Sequence, residues 1–149
     1  DAASRQNLEI EINLSGGAQH TLVSLMDRCA TPMGSRLLRR WLHGPIRDHQ
    51  ELNERQLAVE ALIKQLDQEA INGHLKACGD IERVLTRIAL DMARPRDLIK
   101  LRNALITLPA IKTQLKDSSA SLINTIASQI LLFDSERQLL ERAVLDEPA

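Results

Sequence analysis

The stretch CATPMGSRLLRRWLHGP, residues 29–45, places helix boundaries, an apolar stripe and a basic face within a few turns. Thr31 is a predicted N-cap, and Pro32 suits the first helical position, where its missing N–H is harmless. Gly44 and Pro45 end the predicted helix. The stretch therefore predicts one helix whose two faces decide between a structural role and a nucleic-acid-binding role.

The two faces of this predicted helix differ in chemistry. The apolar face repeats at helical spacing and consists of Met33, Leu37, Leu38, Trp41 and Leu42. The basic face consists of Arg36, Arg39 and Arg40, which suit either DNA phosphates or neighbouring acids. The flanking acids are Asp27, Asp48, Glu51 and Glu54. Because these acids reduce the local positive charge, we favour arginines that face solvent or another domain over direct DNA contact.

Two further residues of the stretch favour a packing role. Gly34, one turn into the helix, costs about 1 kcal/mol relative to alanine and predicts the close approach of another backbone. Trp41, the only tryptophan in the sequence, is predicted to be the large packing anchor of the domain.

The composition favours an all-α protein, because leucine dominates the apolar residues and aromatics make up only 1% of the chain. With 149 residues, the chain fits one domain, and no linker divides it. Its net charge is −1, so no overall positive field attracts a polyanion. The chain begins with Asp and ends just after Pro148, which predicts a piece of a longer protein.

Residues 7–14, NLEIEINL, alternate polar and apolar residues and predict one short N-terminal β-strand. Its apolar side consists of Leu8, Ile10, Ile12 and Leu14. No second strand of similar quality follows, and we expect its partner strand to lie outside these 149 residues. Glu9 and Glu11 are expected to form a solvated strand edge rather than an acid–base pair.

The rest of the chain predicts an irregular array of helices. Asp48 and Asp80 are predicted N-caps, and a short helix over residues 69–78 should stop at Gly79. Apolar stripes are predicted at Leu52, Val59, Leu62 and Leu66, at Ile81, Val84, Leu85 and Ile88, and at Leu98, Leu101, Leu105 and Leu108. Pro95 and Pro109 are expected to interrupt helices. Two last helices are predicted near residues 119–132 and 135–145.

The sequence carries no recognisable catalytic or ligand-binding motif, so we expect no catalytic, cofactor-binding or metal site. The glycines of SGGAQHT lack the lysine of a P-loop. The four histidines (His20, His43, His49 and His74) lack metal-ligand spacing. Cys29 and Cys78 are predicted to be reduced, buried thiols of a cytoplasmic protein. No membrane span or signal peptide is predicted.

Several segments, in order and spacing, resemble the core domain of the MutS family of DNA mismatch-repair proteins. They are DAASRQNLEI, TPMGSRLLRRWLHGPIRD, ERQLAVEAL, GDIERVLTRIAL and ARPRDLIKLRNAL. The similarity covers nearly the whole chain. The bacterial branch of the family is the most similar. The resemblance implies the core or lever domain that precedes the clamp, in a parent protein that recognises mismatched DNA and binds ATP and magnesium.

The resemblance also implies what this chain lacks. The mismatch-reading Phe-x-Glu motif has no counterpart here, because Phe133 is followed by Asp134 and Ser135. The Walker A residues of the family are absent too, so no functional residue of the family is carried over. The resemblance implies a non-catalytic fragment that couples DNA-holding and ATPase regions. Its partners are the connector, clamp and ATPase domains of a homo-oligomeric parent in the bacterial cytoplasm.

Two other functional classes stay open at this point. A free-standing helical adapter would bind a partner through an uncovered apolar stripe. A small DNA-binding module would use Arg36, Arg39 and Arg40. Within the MutS-like hypothesis, Pro95 and Pro109 are candidate hinges, although static bends are the simpler interpretation.

Overall fold

The structure, a computed structural model, describes residues 2–145. The chain divides into two compact units, of which the first ends at Arg47 and the second begins at Asp48. The first unit contains helices α1 (Ala2–Asn7), α2 (Leu22–Met26) and α3 (Pro32–His43). The second contains α4 (His49–Lys64), α5 (Gln68–Cys78), α6 (Ile81–Ala89), α7 (Pro95–Leu115), α8 (Ser121–Gln129) and α9 (Asp134–Ala143). The all-α prediction is confirmed for the described residues. The assignment of the whole chain to one domain stays a prediction.

The helix boundaries follow from local capping chemistry. The Thr31 side chain accepts a hydrogen bond from the Gly34 backbone N–H at 3.0 Å, and Pro32 is the first residue of α3. Asp48 and Asp80 cap α4 and α6 in the same manner. Gly79 ends α5 with a φ of +67°, a conformation that glycine adopts without steric cost. These predicted helix ends are confirmed.

The predicted strand over residues 7–14 is wrong, because no strand occurs within residues 2–145. The segment leaves α1 through Glu9, whose φ of +46° lies in the left-handed region and is incompatible with an extended strand. The side chains of Leu8, Ile12 and Leu14 are exposed, and only Ile10 is buried. Alternation of polar and apolar residues therefore did not place the four apolar side chains on one buried face.

Because the segment forms no strand and makes hydrogen bonds within the first unit, the partner strand expected outside these 149 residues has no strand here to pair with. The carbonyls of Glu9 and Ile10 accept hydrogen bonds from the N–H groups of Leu22 and Val23 at 3.1 and 2.9 Å. The Glu9 carboxylate accepts another from the Leu14 N–H at 2.7 Å. Turns closed by side chains thus replace the ladder that a strand would require.

Helix α3 has no buried residue, and this corrects the predicted role of Trp41. The Trp41 side chain is 44% exposed, and Leu37 is 40% exposed. Met33, Leu38 and Leu42 are only partly buried. In the first unit, the buried side chains are instead those of Ile10, Thr21, Val23 and Thr31. The apolar periodicity of α3 was correct, but the degree of burial was not.

The second unit has a core of small and aliphatic residues. Ala58 and Ala61 of α4 pack with Ala120 and Ile123, and the partly buried leucines Leu62, Leu66, Leu115 and Leu122 surround them. The predicted α4 stripe is therefore correct for Leu62 and Leu66. It is wrong for Val59, which is 54% exposed, since Ala58 and Ala61 are the residues of α4 that face the core.

Helix α7 is the central element of the second unit, since α5, α6, α8 and α9 all pack against it. Its buried residues Ala104 and Ile111 lie on either side of Pro109. The helix continues through Pro109, so the predicted interruption at this residue is wrong. Packing on both sides outweighs the hydrogen bond that proline cannot donate.

Local side-chain hydrogen bonds further stabilise α7. The Thr113 hydroxyl donates to the Pro109 carbonyl at 2.8 Å, and the Thr107 hydroxyl donates to the Ala104 carbonyl at 2.7 Å.

None of the helices within residues 2–145 combines the length and hydrophobicity that a membrane crossing requires.

Candidate functional site

The basic face of α3, predicted from the sequence, is exposed but not uniformly available to phosphates. Arg36, Arg39 and Arg40 are all exposed. The Arg39 guanidinium lies 3.4 Å from Glu11 Oε1 and 3.6 Å from Asp27 Oδ2. Two acids of the same unit therefore offset the central arginine of the face. This arrangement disfavours the DNA-binding module, because the charge of Arg39 is already partnered.

Glu11 is the centre of a polar network in the first unit. Its Oε2 lies 3.0 Å from His43 Nε2, while His43 Nδ1 lies 3.5 Å from Arg5 Nη1. The hydrogen bond from His43 and the guanidinium of Arg39 hold the pKa of Glu11 below its ordinary value, although burial opposes the shift. Glu11 is therefore a structural ion-pairing group and not the solvated strand edge that the sequence predicts.

Asp27 extends this network to the start of α3. It accepts a hydrogen bond from the Ser35 hydroxyl at 2.9 Å. That bond, together with the Cys29 backbone N–H and the charge of Arg39, lowers the pKa of Asp27. The network consequently links three segments of the first unit through charged hydrogen bonds rather than through an apolar core.

Gly34 lies in a tight contact, but its neighbours are side chains, so the predicted close approach of another backbone is wrong. A Cβ at this position would lie 3.2 Å from Cys29 Cβ and 3.3 Å from Thr31 Oγ1.

Cys29 is exposed, so the prediction that both cysteines are buried is wrong for this residue and confirmed for Cys78. Partial desolvation and the neighbouring Asp27 raise the pKa of the Cys29 thiol, which disfavours the reactive thiolate.

The junction between α6 and α7 contains a buried carboxylate of the second unit. Asp97 is only 3% exposed. Its Oδ2 accepts the backbone N–H of Arg94 at 3.0 Å, and its Oδ1 accepts Arg87 Nη1 at 3.2 Å. One carboxylate therefore joins the last turn of α6 to the first turn of α7. The buried charge is both paired and hydrogen-bonded, which is the condition for stable burial.

The ionised form of Asp97 is the favoured one. The hydrogen bond from the Arg94 N–H, together with the charges of Arg87 and Lys100, holds the pKa of Asp97 below its ordinary value, although burial opposes this shift. The carboxylate therefore stays charged at neutral pH, and the link between the two helices persists there.

Pro95 lies inside this junction, at the first position of α7. The break between α6 and α7 is confirmed. The missing N–H of Pro95 costs no helical hydrogen bond at this position. Because Asp97 closes the turn around Pro95, the local geometry favours a static bend over a hinge.

An open apolar groove of about 510 Å³ lies along α6, α7 and the start of α9. Leu85, Leu131 and Phe133 line it and are 50%, 63% and 45% exposed, while Leu105 forms its buried floor. Phe133, with a φ of +50°, precedes α9. The uncovered apolar stripe that the sequence predicts is therefore present, and the self-association expected from it stays a prediction.

The described residues do not assemble a recognisable catalytic or metal centre. Within residues 2–145, no three His, Cys, Asp or Glu side chains come together in a way that would hold a metal ion. Burial raises the pKa of the Cys78 thiol, although a hydrogen bond from Thr107 opposes the shift.

A family model described as MutS domain III matches residues 3–149. The chain belongs to the MutS domain III family. The resemblance inferred from the sequence motifs is therefore confirmed. Two motifs of this domain III chain have identifiable structural roles. TPMGSR contains the N-cap and the first turn of α3, and ARPRDL forms the junction that the Asp97 carboxylate closes.

The motif that contains Asp97 was recognisable in the sequence, but the link that its carboxylate makes between α6 and α7 was not predicted. Its partner Arg87 lies ten residues earlier, on a different helix. The available local signal was an acid at the third position of a helix that begins with proline, a pattern typical of helix N-termini. That signal predicts the bond to the Arg94 N–H, but not the link between the two helices.

Proposed function

We propose that this chain is a non-catalytic core, or lever, domain fragment of a MutS-like mismatch-repair ATPase. In this proposal, it couples the regions of the parent protein that hold DNA to the region that binds ATP. The observation that carries the proposal is the Asp97 junction, within a chain that belongs to MutS domain III.

The mechanical role depends first on α7. A helix of 21 residues spans roughly 30 Å at 1.5 Å per residue. The other helices of the second unit except α4 pack against it directly, and α4 packs against α8. Such a helix transmits a displacement of one end to the other, because its neighbours oppose bending.

The junction extends this rigid element into α6. Without the Asp97 carboxylate, the two helices would be connected by their packing and by the loop between Ala89 and Pro95. With the carboxylate, α6 and α7 are linked by a charge-assisted hydrogen bond in addition to their packing. Allostery is a coupling free energy between sites, and a domain contributes to it by fixing the geometry between them.

The remaining parts of the proposal concern the parent protein. It recognises mismatched DNA, binds ATP and magnesium in another domain, and assembles as a homo-oligomer in the bacterial cytoplasm. The connector, clamp and ATPase domains are the partners of this chain. Family membership supports these features, and no residue of this chain is assigned to nucleotide or mismatch binding.

The test uses the full-length parent protein with Asp97→Ala, and with Asp97→Asn as the matched variant that retains an acceptor. We expect mismatch binding without ATP to stay within about twofold, because the DNA-reading residues are untouched. ATP-triggered release from DNA should slow by about tenfold in Asp97→Ala and less in Asp97→Asn, in line with a coupling energy of about 1–3 kcal/mol. Unchanged release in Asp97→Ala would contradict the proposed coupling role.

A second measurement separates this proposal from the DNA-binding module. The 149-residue chain is titrated with duplex DNA at physiological salt, and we expect negligible binding because Arg39 is already paired. Tight binding with a steep salt dependence, abolished by combined substitution of Arg36, Arg39 and Arg40, would instead support the module. Nucleotide binding by the isolated chain would contradict the lever assignment.

A further inference from the structure

The loop between α6 and α7 holds two large apolar side chains in solvent. Leu90 is 63% exposed, and Met92 is 65% exposed. Neither takes part in the core of the second unit or in the apolar groove. Single exposed apolar residues are common, but two of them in one short loop are worth testing as a contact surface.

The backbone of this loop is fixed at both ends. The Met92 N–H donates to the Arg87 carbonyl at 2.8 Å, and the Asp91 N–H donates to the Ile88 carbonyl at 3.1 Å. At the other end, the Arg94 N–H is bound by the buried Asp97 carboxylate. The loop is therefore held before any partner arrives, which reduces the entropic cost of binding.

The same region carries a local excess of positive charge. Residues 83–100, which follow Asp80 and Glu82, contain five arginines or lysines and two aspartates, whereas the whole chain has a net charge of −1. Asp97 is buried and paired with Arg87, while Asp91 is exposed between Leu90 and Met92. The basic side chains of Arg83, Arg94, Arg96 and Lys100 are exposed, and no ion pair joins them to another residue in the described range 2–145, although the charge of Lys100 acts on Asp97.

These residues are close in sequence to the junction that joins α6 and α7. Arg83 is one helical turn before Arg87, whose guanidinium contacts Asp97. Arg94 and Arg96 flank Pro95 at the start of α7, and Lys100 follows Arg96 by one turn. We call Leu90 and Met92, together with Arg83, Arg94, Arg96 and Lys100, the junction patch.

We propose that the junction patch is a docking surface for an acidic amphipathic segment of a protein partner. The apolar residues of such a segment would cover Leu90 and Met92, and its carboxylates would pair with the surrounding cations. A nucleic-acid backbone matches the patch less well, because phosphates would satisfy the arginines but leave both apolar side chains in water. The inference is independent of the proposed lever function, since it rests only on residues 83–100.

The experiment measures binding of a fluorescein-labelled peptide to the 149-residue chain by fluorescence anisotropy. The probe is a peptide of about 14 residues with leucines at every third or fourth position and glutamates between them. We expect the double variant Arg94→Glu/Arg96→Glu to weaken binding by about tenfold, because opposite charges become like charges. We expect Leu90→Ser/Met92→Ser to weaken binding by about fivefold.

The matched control for charge is Lys116→Glu, at the opposite end of α7, which should keep the affinity within about twofold. A peptide with serines in place of leucines should bind more weakly than the leucine peptide. The substituted side chains are exposed, so the thermal midpoint of each variant should stay within a few degrees of the parent value.

Three results would overturn the proposal. The first is the absence of leucine-peptide binding at about 1 mM, the limit of weak association. The second is equal weakening by Lys116→Glu and by the Arg94/Arg96 double variant, which would indicate general charge attraction. The third is tighter binding of a duplex of about 20 base pairs than of the peptide, which would assign the patch to nucleic acid.

Discussion

The two units of this chain are stabilised by different means. In the second unit, Ala58, Ala61, Ala120 and Ile123 form a packed core, and partly buried leucines pack against it. In the first unit, α3 buries none of its side chains, and charged hydrogen bonds centred on Glu11 link its segments. A packed core depends on shape and volume, whereas an ion-pair network depends on pH and salt. The two units should therefore respond to different perturbations.

The largest effect is expected in the core of the second unit. Ile123→Ala should reduce the free energy of unfolding by about 3 kcal/mol, because it removes buried methylene groups and leaves a cavity. Ile126→Ala on the same helix is the matched control, since Ile126 is 46% exposed. It should cost less than about 1 kcal/mol. Guanidinium denaturation measures both values, and equal losses would mean that the packed core is not the main source of stability.

A smaller effect is expected at the N-cap of α3. Thr31→Ala removes the acceptor for the Gly34 N–H and should cost about 1 kcal/mol, while Thr31→Ser keeps the hydroxyl and should cost less. Hydrogen exchange of the α3 amides measures the change locally. If Thr31→Ser exchanged as fast as Thr31→Ala, the methyl group rather than the cap would be responsible.

The smallest effect is the pH response of the first unit. Because the pKa of Glu11 is lowered in the folded state, the unfolded state takes up its proton first as the pH falls. The stabilisation is complete above the ordinary glutamate value of about 4.3 and is lost as the pH falls through the folded pKa. Since the network is partly exposed, the loss should be at most about 1 kcal/mol.

This pH response is tested by hydrogen exchange of residues 32–43 between neutral and acidic pH. Glu11→Gln should show a weaker acid response than the parent chain, while Asp27, whose pKa is also lowered, accounts for the remainder. An identical acid response in the two proteins would contradict a role for Glu11.

Local chemistry explains which parts of the fold were predictable from the sequence. Both ends of α3, the start of α4, the end of α5 and the start of α6 depend on capping residues or glycines next to the helix, and these boundaries were predicted correctly. Burial depends on what packs against a helix, so periodicity located the apolar face of α3 but could not reveal that Trp41 is 44% exposed. A proline such as Pro109 would interrupt an isolated helix, whereas packing on both sides of Pro109 keeps α7 continuous.

The errors near the N-terminus and at the candidate site have the same origin. Alternation in residues 7–14 matches the period of a strand, but a strand also needs a partner, and here the carbonyls of Glu9 and Ile10 bind the start of α2 instead. The importance of Asp97 depends on Arg87 across a loop. The family resemblance was recognisable from the motifs, because it does not require knowledge of these contacts.

The most direct test of the lever account is hydrogen exchange at the Arg94 amide, which the Asp97 carboxylate accepts at 3.0 Å. If the junction joins α6 and α7 rigidly, this amide should exchange roughly 100-fold more slowly than an unstructured amide, and Asp97→Ala should remove the protection. If the Arg94 amide of the unsubstituted chain exchanges at the unstructured rate, the junction opens freely and α6 and α7 do not act as one rigid element.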